Sequence, residues 1–229
     1  MTFNKNDYEE LYWKLNSKLP RLTTDRISDL NRLLQMESSS VLYSLARDGT
    51  TTLMKEYSRK KEGIYLDCGS LPTKDTLETL DTLLGDAEKP AVLDETASLF
   101  RRSTAAEEYL QNLAKKRQIV ARIHPWDKEY LLKLSQNGFT TINIGKITYQ
   151  EFSAGIQKQF AEVGFDFPER LIKSAHDAFP ILCLSTLYIA QVFRWMLDGK
   201  SFSEEEVKKE VEETNHFLLK YLEKISKKI

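Results

Sequence analysis

From residue 41 onward, short apolar runs alternate with stretches in which apolar side chains return every third or fourth position. The runs lie at residues 41–45 (V-L-Y-S-L), 63–68 (G-I-Y-L-D-C), 91–94 (A-V-L-D), 118–124 (Q-I-V-A-R-I-H) and 140–144 (T-T-I-N-I). Their brevity and their β-branched and aromatic content suit strands covered on both faces, as in a parallel sheet. Between them, Leu77, Leu80, Leu83 and Leu84 mark one helix, Tyr109, Leu110 and Leu113 a second, and Tyr130, Leu131 and Leu134 a third. Gly85 and Gly138 follow the first and third of these, where glycine is a common helix stop. Strands alternating with helices in this way predict right-handed βαβ units. The expected fold class is therefore α/β, with a five-stranded parallel sheet flanked by helices.

After Gly145 the pattern changes to helices alone. Thr148 and Glu151 can form a capping box for a helix through Phe152, Ile156 and Phe160. Pro168 stands at an early position of the next helix. Residues 180–197 are strongly apolar with polar interruptions, which suits the central helix of a small bundle. Ser203 to Glu206 cap a last helix carrying Val207, Val211, Phe217, Leu218, Tyr221, Leu222 and Ile225. Ahead of the first strand two amphipathic helices are expected, one lined by Tyr8, Leu11, Tyr12 and Leu15, the other by Ile27, Leu30, Leu33 and Leu34. This organisation gives an α/β core over residues 1–146 and a small all-helical subdomain over 147–229.

Composition narrows the function classes. With 229 residues, 41% of them apolar, the chain can bury a sizeable core. Its 33 basic and 34 acidic residues leave a net charge of −1, which argues against a dominant nucleic-acid footprint. No apolar run reaches the roughly 18 residues of a membrane span, and the first residues lack the apolar core of a signal peptide. A cytoplasmic protein without a membrane partner is expected. Cys68 and Cys183 fit two reduced thiols, and three histidines with two cysteines show no metal-ligand spacing.

Candidate chemistry concentrates after the first strand. Residues 41–52, V-L-Y-S-L-A-R-D-G-T-T-T, follow an apolar run and open a helical pattern. That is the context of the phosphate-binding loop G-x-x-x-x-G-K-S/T. Aligned on Gly49, Ser44 replaces the first glycine and Thr50 the lysine, while Thr51 keeps the hydroxyl that would hold Mg²⁺. Losing the lysine removes a charge-assisted contact of about 1.5–3 kcal/mol. Asp48 further sets a carboxylate beside the expected phosphates, and Arg47 is a candidate to compensate. The third run ends in Asp94 and Glu95, the shape of a Walker B segment. There Asp94 would support the metal, and Glu95 would polarise the attacking water. A second G-K-S, in residues 198–201, follows a helix instead of a strand and reads as a helix-to-helix turn.

With these residues in place, the chain resembles the archaeal ATPase group of the AAA+ and STAND branch of P-loop NTPases, relatives of archaeal origin-recognition initiators, over about residues 20–200. Thr24 to Leu33 looks like the D-R-containing box that precedes the family's first strand. Residues 147–152 resemble its passage into the helical lid, and Ala178-Phe179-Pro180 the lid's G-x-P motif with alanine for glycine. The resemblance implies a P-loop NTPase-like core and lid, ATP or ADP with Mg²⁺ as cofactor, and His124 at the polar sensor position ending the fourth strand. The nucleotide-binding candidates are then Arg47, Gly49, Thr50, Thr51 and His124; the metal candidates are Thr51 and Asp94, and the catalytic candidate is a vestigial Glu95.

The leading reading is an ATPase-like chain with a degenerate nucleotide site that does not hydrolyse ATP and acts by binding a protein partner or by self-association. One alternative is a residual ATP-binding site or ATPase using Arg47, Thr51, Asp94 and Glu95. Another is a nucleic-acid-associated factor using Arg101, Arg102, Lys115, Lys116, Arg117 and the C-terminal lysines.

Overall fold

The structure, a computed structural model, describes residues 26–45, 48–85, 88–162, 164–179, 182–216 and 219–220. The chain divides into two compact units, one within Leu22–Gly145 and one whose described part begins at Lys146. The first of the two expected N-terminal helices lies outside the described residues, as do Arg47, Pro180, Phe217, Leu218 and Tyr221 onward.

The first unit opens with α1 (Ile27–Leu34) and β1 (Ser40–Ser44), followed by α2 (Thr50–Lys60) and β2 (Ile64–Asp67). A 3₁₀ turn (Cys68–Ser70) leads to α3 (Thr76–Leu84) and β3 (Ala91–Asp94). Two helices, α4 (Ala97–Arg102) and α5 (Ala106–Ala114), precede β4 (Ile119–Ile123). A second 3₁₀ turn (Pro125–Asp127), α6 (Lys128–Gln136) and β5 (Thr140–Ile144) complete the unit. All pairings are parallel and the strand order is β2-β3-β4-β1-β5.

Period-two alternation sends side chains of one strand to opposite faces. Val41, Leu93, Ala121 and Ile123 join Leu80, Leu110, Leu113 and Leu134 in one buried cluster. Leu42, Val92, Val120 and Ile142 join Leu30 and Leu33 of α1 and Leu53, Met54 and Tyr57 of α2 in the other. Helices thus cover both sheet faces, which is why the strand runs are apolar almost throughout. Both 92 and 120 point toward α2, so positions 94 and 122 point the same way. That face carries the site.

The second unit holds α7 (Tyr149–Ala161), α8 (Glu169–Ala178), α9 (Leu182–Leu197) and α10 (Glu204–Thr214). The Thr148 side chain caps α7 by accepting from the Glu151 N–H, and Ser203 with Glu206 forms a reciprocal capping box on α10. Pro168 is the N-cap residue of α8, one position ahead of its first turn. A cluster of Phe160, Phe165, Phe167 and Phe193, with ring centroids 4.5–6.1 Å apart, fills this unit's centre. Residues 198–199 turn between α9 and α10, the place expected for the second G-K-S. Among the described residues no helix is long and apolar enough to cross a membrane, and Cys68 and Cys183 are both free.

Candidate functional site

The loop after β1 reaches α2 through Gly49, whose φ of 77° lies in the left-handed region and whose backbone caps the helix. A side chain is disfavoured there, which explains the glycine. Thr50 begins α2 with its hydroxyl buried and without a hydrogen-bond partner among the described residues. At 1% exposure it does not replace the lysine it stands for.

Asp48 is placed differently from the sequence expectation. Its carboxylate is 2% exposed and meets Arg26 Nη2 at 2.7 Å, while Arg26 Nε donates to the Asp48 carbonyl at 2.6 Å. Arg26 also pairs with Asp29 at 3.0 Å. The arginine of the D-R box therefore fastens the loop from α1 and neutralises the charge that would have opposed an anion.

The centre of the site is Arg122, a residue the sequence reading passed over inside its strand. It is 3% exposed and stands one residue before the end of β4, on the α2 face. Its Nε donates to Ser44 Oγ at 3.1 Å and its Nη2 to the Leu45 carbonyl at 3.2 Å. Its Nη1 donates to Thr51 Oγ1 at 3.0 Å and to Asp94 Oδ1 at 3.1 Å. The serine that replaced the loop's first glycine, the hydroxyl of the metal position and the Walker B carboxylate thus converge on one guanidinium.

Asp94 is saturated. Oδ1 accepts from Arg122 and from the Glu95 N–H at 2.9 Å, and Oδ2 accepts from Thr51 Oγ1 at 2.7 Å and Tyr65 Oη at 3.0 Å. Four donors occupy about the four lone-pair directions that a carboxylate offers. Burial pushes the Asp94 carboxyl up, but the Arg122 charge and the hydrogen bonds from Thr51, Arg122 and Tyr65 outweigh it and hold it below its ordinary value. Tyr65 is raised by burial and by Asp94.

Glu95 follows with φ 51°, a left-handed conformation that strains a residue with a side chain by about 1–3 kcal/mol. Its Oε1 meets His124 Nε2 at 2.8 Å, and that hydrogen bond is the main cause of its lowered carboxyl value. His124 Nδ1 lies 3.1 Å from the Ser44 carbonyl, and its ring stacks on Trp126 at 4.2 Å and 9°. Both ring nitrogens therefore face oxygen partners. His124 is 3% exposed and both nitrogens are engaged, so this arrangement leaves no ring nitrogen for a phosphate.

The residues expected to serve nucleotide chemistry are therefore mostly gathered at one sheet edge. Thr51, Asp94, Glu95 and His124 come together, Gly49 and Thr50 adjoin them, and Arg47 lies outside the described residues. The group they would hold does not fit as they stand. Mg²⁺ needs oxygen ligands with free lone pairs. Here Asp94 is saturated, and Thr51 Oγ1 donates to Asp94 while accepting from Arg122. The loop also lacks the lysine that would reach a triphosphate. Of the described basic residues proposed for nucleic acid, Arg102 and Arg117 are committed to backbone carbonyls, while Arg101, Lys115 and Lys116 are exposed. Arg102 donates to the carbonyls of Cys68, Gly69 and Leu71, Arg117 to those of Leu84 and Gly85, and Arg101 pairs with Asp127.

A parallel β2-β3-β4-β1-β5 sheet with its loop after β1 and an acidic pair after β3 defines the fold as that of a P-loop NTPase. Solved structures of ATPases and replication or recombination proteins share this fold. The Walker-type ATPase of Pyrococcus abyssi aligns with a TM-score of 0.59 at 15% identity, covering 92% of this chain and 77% of that one. The RuvB Holliday junction branch migration motor of Thermotoga maritima aligns at 0.52 and 13%, covering 93% and 69%. DnaA from Aquifex aeolicus, solved with AMPPCP bound, aligns at 0.51 and 13%, covering 75% of this chain and 62% of its own. Likeness at these identities establishes the fold. No family profile and no curated protein matches the sequence.

Proposed function

We propose that this chain is a non-hydrolysing member of the AAA+-like structural class with a degenerate nucleotide site, and that it acts by binding a protein partner or a second copy of itself. One observation supports the reading above the others. The hydroxyl and carboxylate that would hold Mg²⁺ are instead joined by the Arg122 guanidinium, at 3.0 and 3.1 Å. Phosphoryl transfer on this fold depends on a metal and a lysine to neutralise charge developing on the phosphates. The lysine is replaced by a buried threonine, and the metal ligands are engaged. Glu95, the candidate base, is bonded to His124. A scaffold of this kind that lacks turnover retains its surfaces and two units for assembly, which is the basis of the partner reading.

The test is a single-turnover assay with γ-labelled ATP and Mg²⁺, run beside Glu95→Gln, with sedimentation of the purified chain to read self-association. The expected result is no phosphate release above buffer by either protein. Release that Glu95→Gln abolishes would establish the residual ATPase in place of this reading.

A further inference from the structure

We infer that Arg122 is the resident cation of this site, a side-chain replacement for the divalent metal, and that the site rejects hard divalent ions because of it. The inference deepens the functional reading above and rests on the same assignment of Thr51 and Asp94 to the metal position.

Three observations carry it. First, the guanidinium contacts both oxygen groups that a metal would use, Thr51 Oγ1 at 3.0 Å and Asp94 Oδ1 at 3.1 Å. Second, the remaining Asp94 acceptor directions are filled by Thr51, Tyr65 and the Glu95 N–H, so an ion cannot bind without breaking a protein bond. Third, the cation is locked on its far side by Ser44 Oγ at the end of β1 and by the Leu45 carbonyl that begins the loop, at 3.1 and 3.2 Å. The planar fork of arginine suits this task, because one side chain can address several acceptors in fixed directions. A cation carried on β4 and bonded to the end of β1, the start of the loop, α2 and β3 at once also holds the start of the loop in place without a ligand. An ordinary P-loop obtains part of that order from nucleotide and Mg²⁺.

The charge balance is consistent with this role. Asp94 and Arg122 form a buried pair, with side chains each 4% exposed, and the half-buried Glu95 carboxylate lies 3.8 Å from the same guanidinium nitrogen. A divalent ion entering beside Arg122 would face a like charge at close range.

Terbium luminescence tests the assignment. Tb³⁺ seeks the same oxygen ligands as Mg²⁺ or Ca²⁺, and Tyr65, bonded to Asp94 at 3.0 Å, is placed to sensitise its emission. The unmodified full chain should show no sensitised emission that Asp94→Asn removes. Arg122→Met should gain such emission, about tenfold above the background of the unmodified chain, and adding Asp94→Asn should abolish the gain. Arg122→Lys, which keeps the charge, should gain none. Should Arg122→Met fail to fold, Arg122→Gln, which keeps polar reach toward Ser44 and Thr51, carries the same expectation. Emission from the unmodified chain that depends on Asp94, or a folded neutral variant that gains none, overturns the assignment. Phosphate release by a chain that still rejects Tb³⁺ would defeat the functional reading and leave this one standing.

Discussion

Arg122 has the largest set of partners in the site, and its energetic role follows from its burial. Removing one member of a buried ion pair strands the other, at about 3–5 kcal/mol. Arg122→Met should therefore lower the stability of the first unit by that amount in urea denaturation, and Arg122→Lys by less. Acidity probes the same pair. The folded values of Asp94 and Glu95 are both lowered, so their stabilisation is present above the ordinary carboxylate range and is lost as pH falls through the folded values. The midpoint of the unmodified chain should fall as pH drops from about 5 toward 3. In Arg122→Met the buried Asp94 loses its counter-charge, and protonation then relieves it. The gap between the two proteins should narrow with acidification. A gap of constant width from neutral to acid would separate Arg122 from Asp94. The arginine itself was within reach of the sequence. Strand 118–124 places Val120, Arg122 and His124 on one face by period two, and a charge in an apolar strand needs partners. Its partners, 28 to 78 residues away, are a matter of the folded chain.

At the level of elements, the loop is held by two arginines, Arg26 from α1 and Arg122 from β4. Both side chains of the Arg26–Asp48 pair are nearly inaccessible, 2% and 3% exposed. Arg26→Ala should cost about 3–5 kcal/mol, measurable as a shift in urea midpoint. A loss below 1 kcal/mol would mean that the loop is fastened elsewhere. Gly49→Ala should destabilise by about 1 kcal/mol or more, because its φ of 77° disfavours a side chain. The five strands were legible because buried parallel strands are written as short apolar runs, and the predicted bounds agree with Ser40–Ser44, Ile64–Asp67, Ala91–Asp94, Ile119–Ile123 and Thr140–Ile144 to within a residue. Helix α4 was missed because six residues are too few to show a helical period. The reading of Asp48 as an obstacle to phosphate failed for another reason. Sequence places a charge along the chain, and its partner on α1 decides whether that charge is felt.

For the molecule as a whole, the fold of a P-loop NTPase is present while the groups that make such a fold an engine are bonded to one another. Ser44, Thr51, Tyr65, Asp94 and Arg122 form one connected polar set, which Glu95 and His124 join through the Glu95 N–H on Asp94 and the Ser44 carbonyl. Fully satisfied buried networks favour one arrangement of the groups they join. We expect the first unit's melting temperature to be unchanged by millimolar Mg²⁺ with ATP, since a ligand that does not bind the folded state does not stabilise it. The most direct measurement is a crystal structure from crystals grown with Mg²⁺ and a non-hydrolysable ATP analogue. The account predicts guanidinium density between Thr51 and Asp94, with no metal there. Octahedral metal density on Thr51 or Asp94, with Arg122 displaced from both, would contradict it.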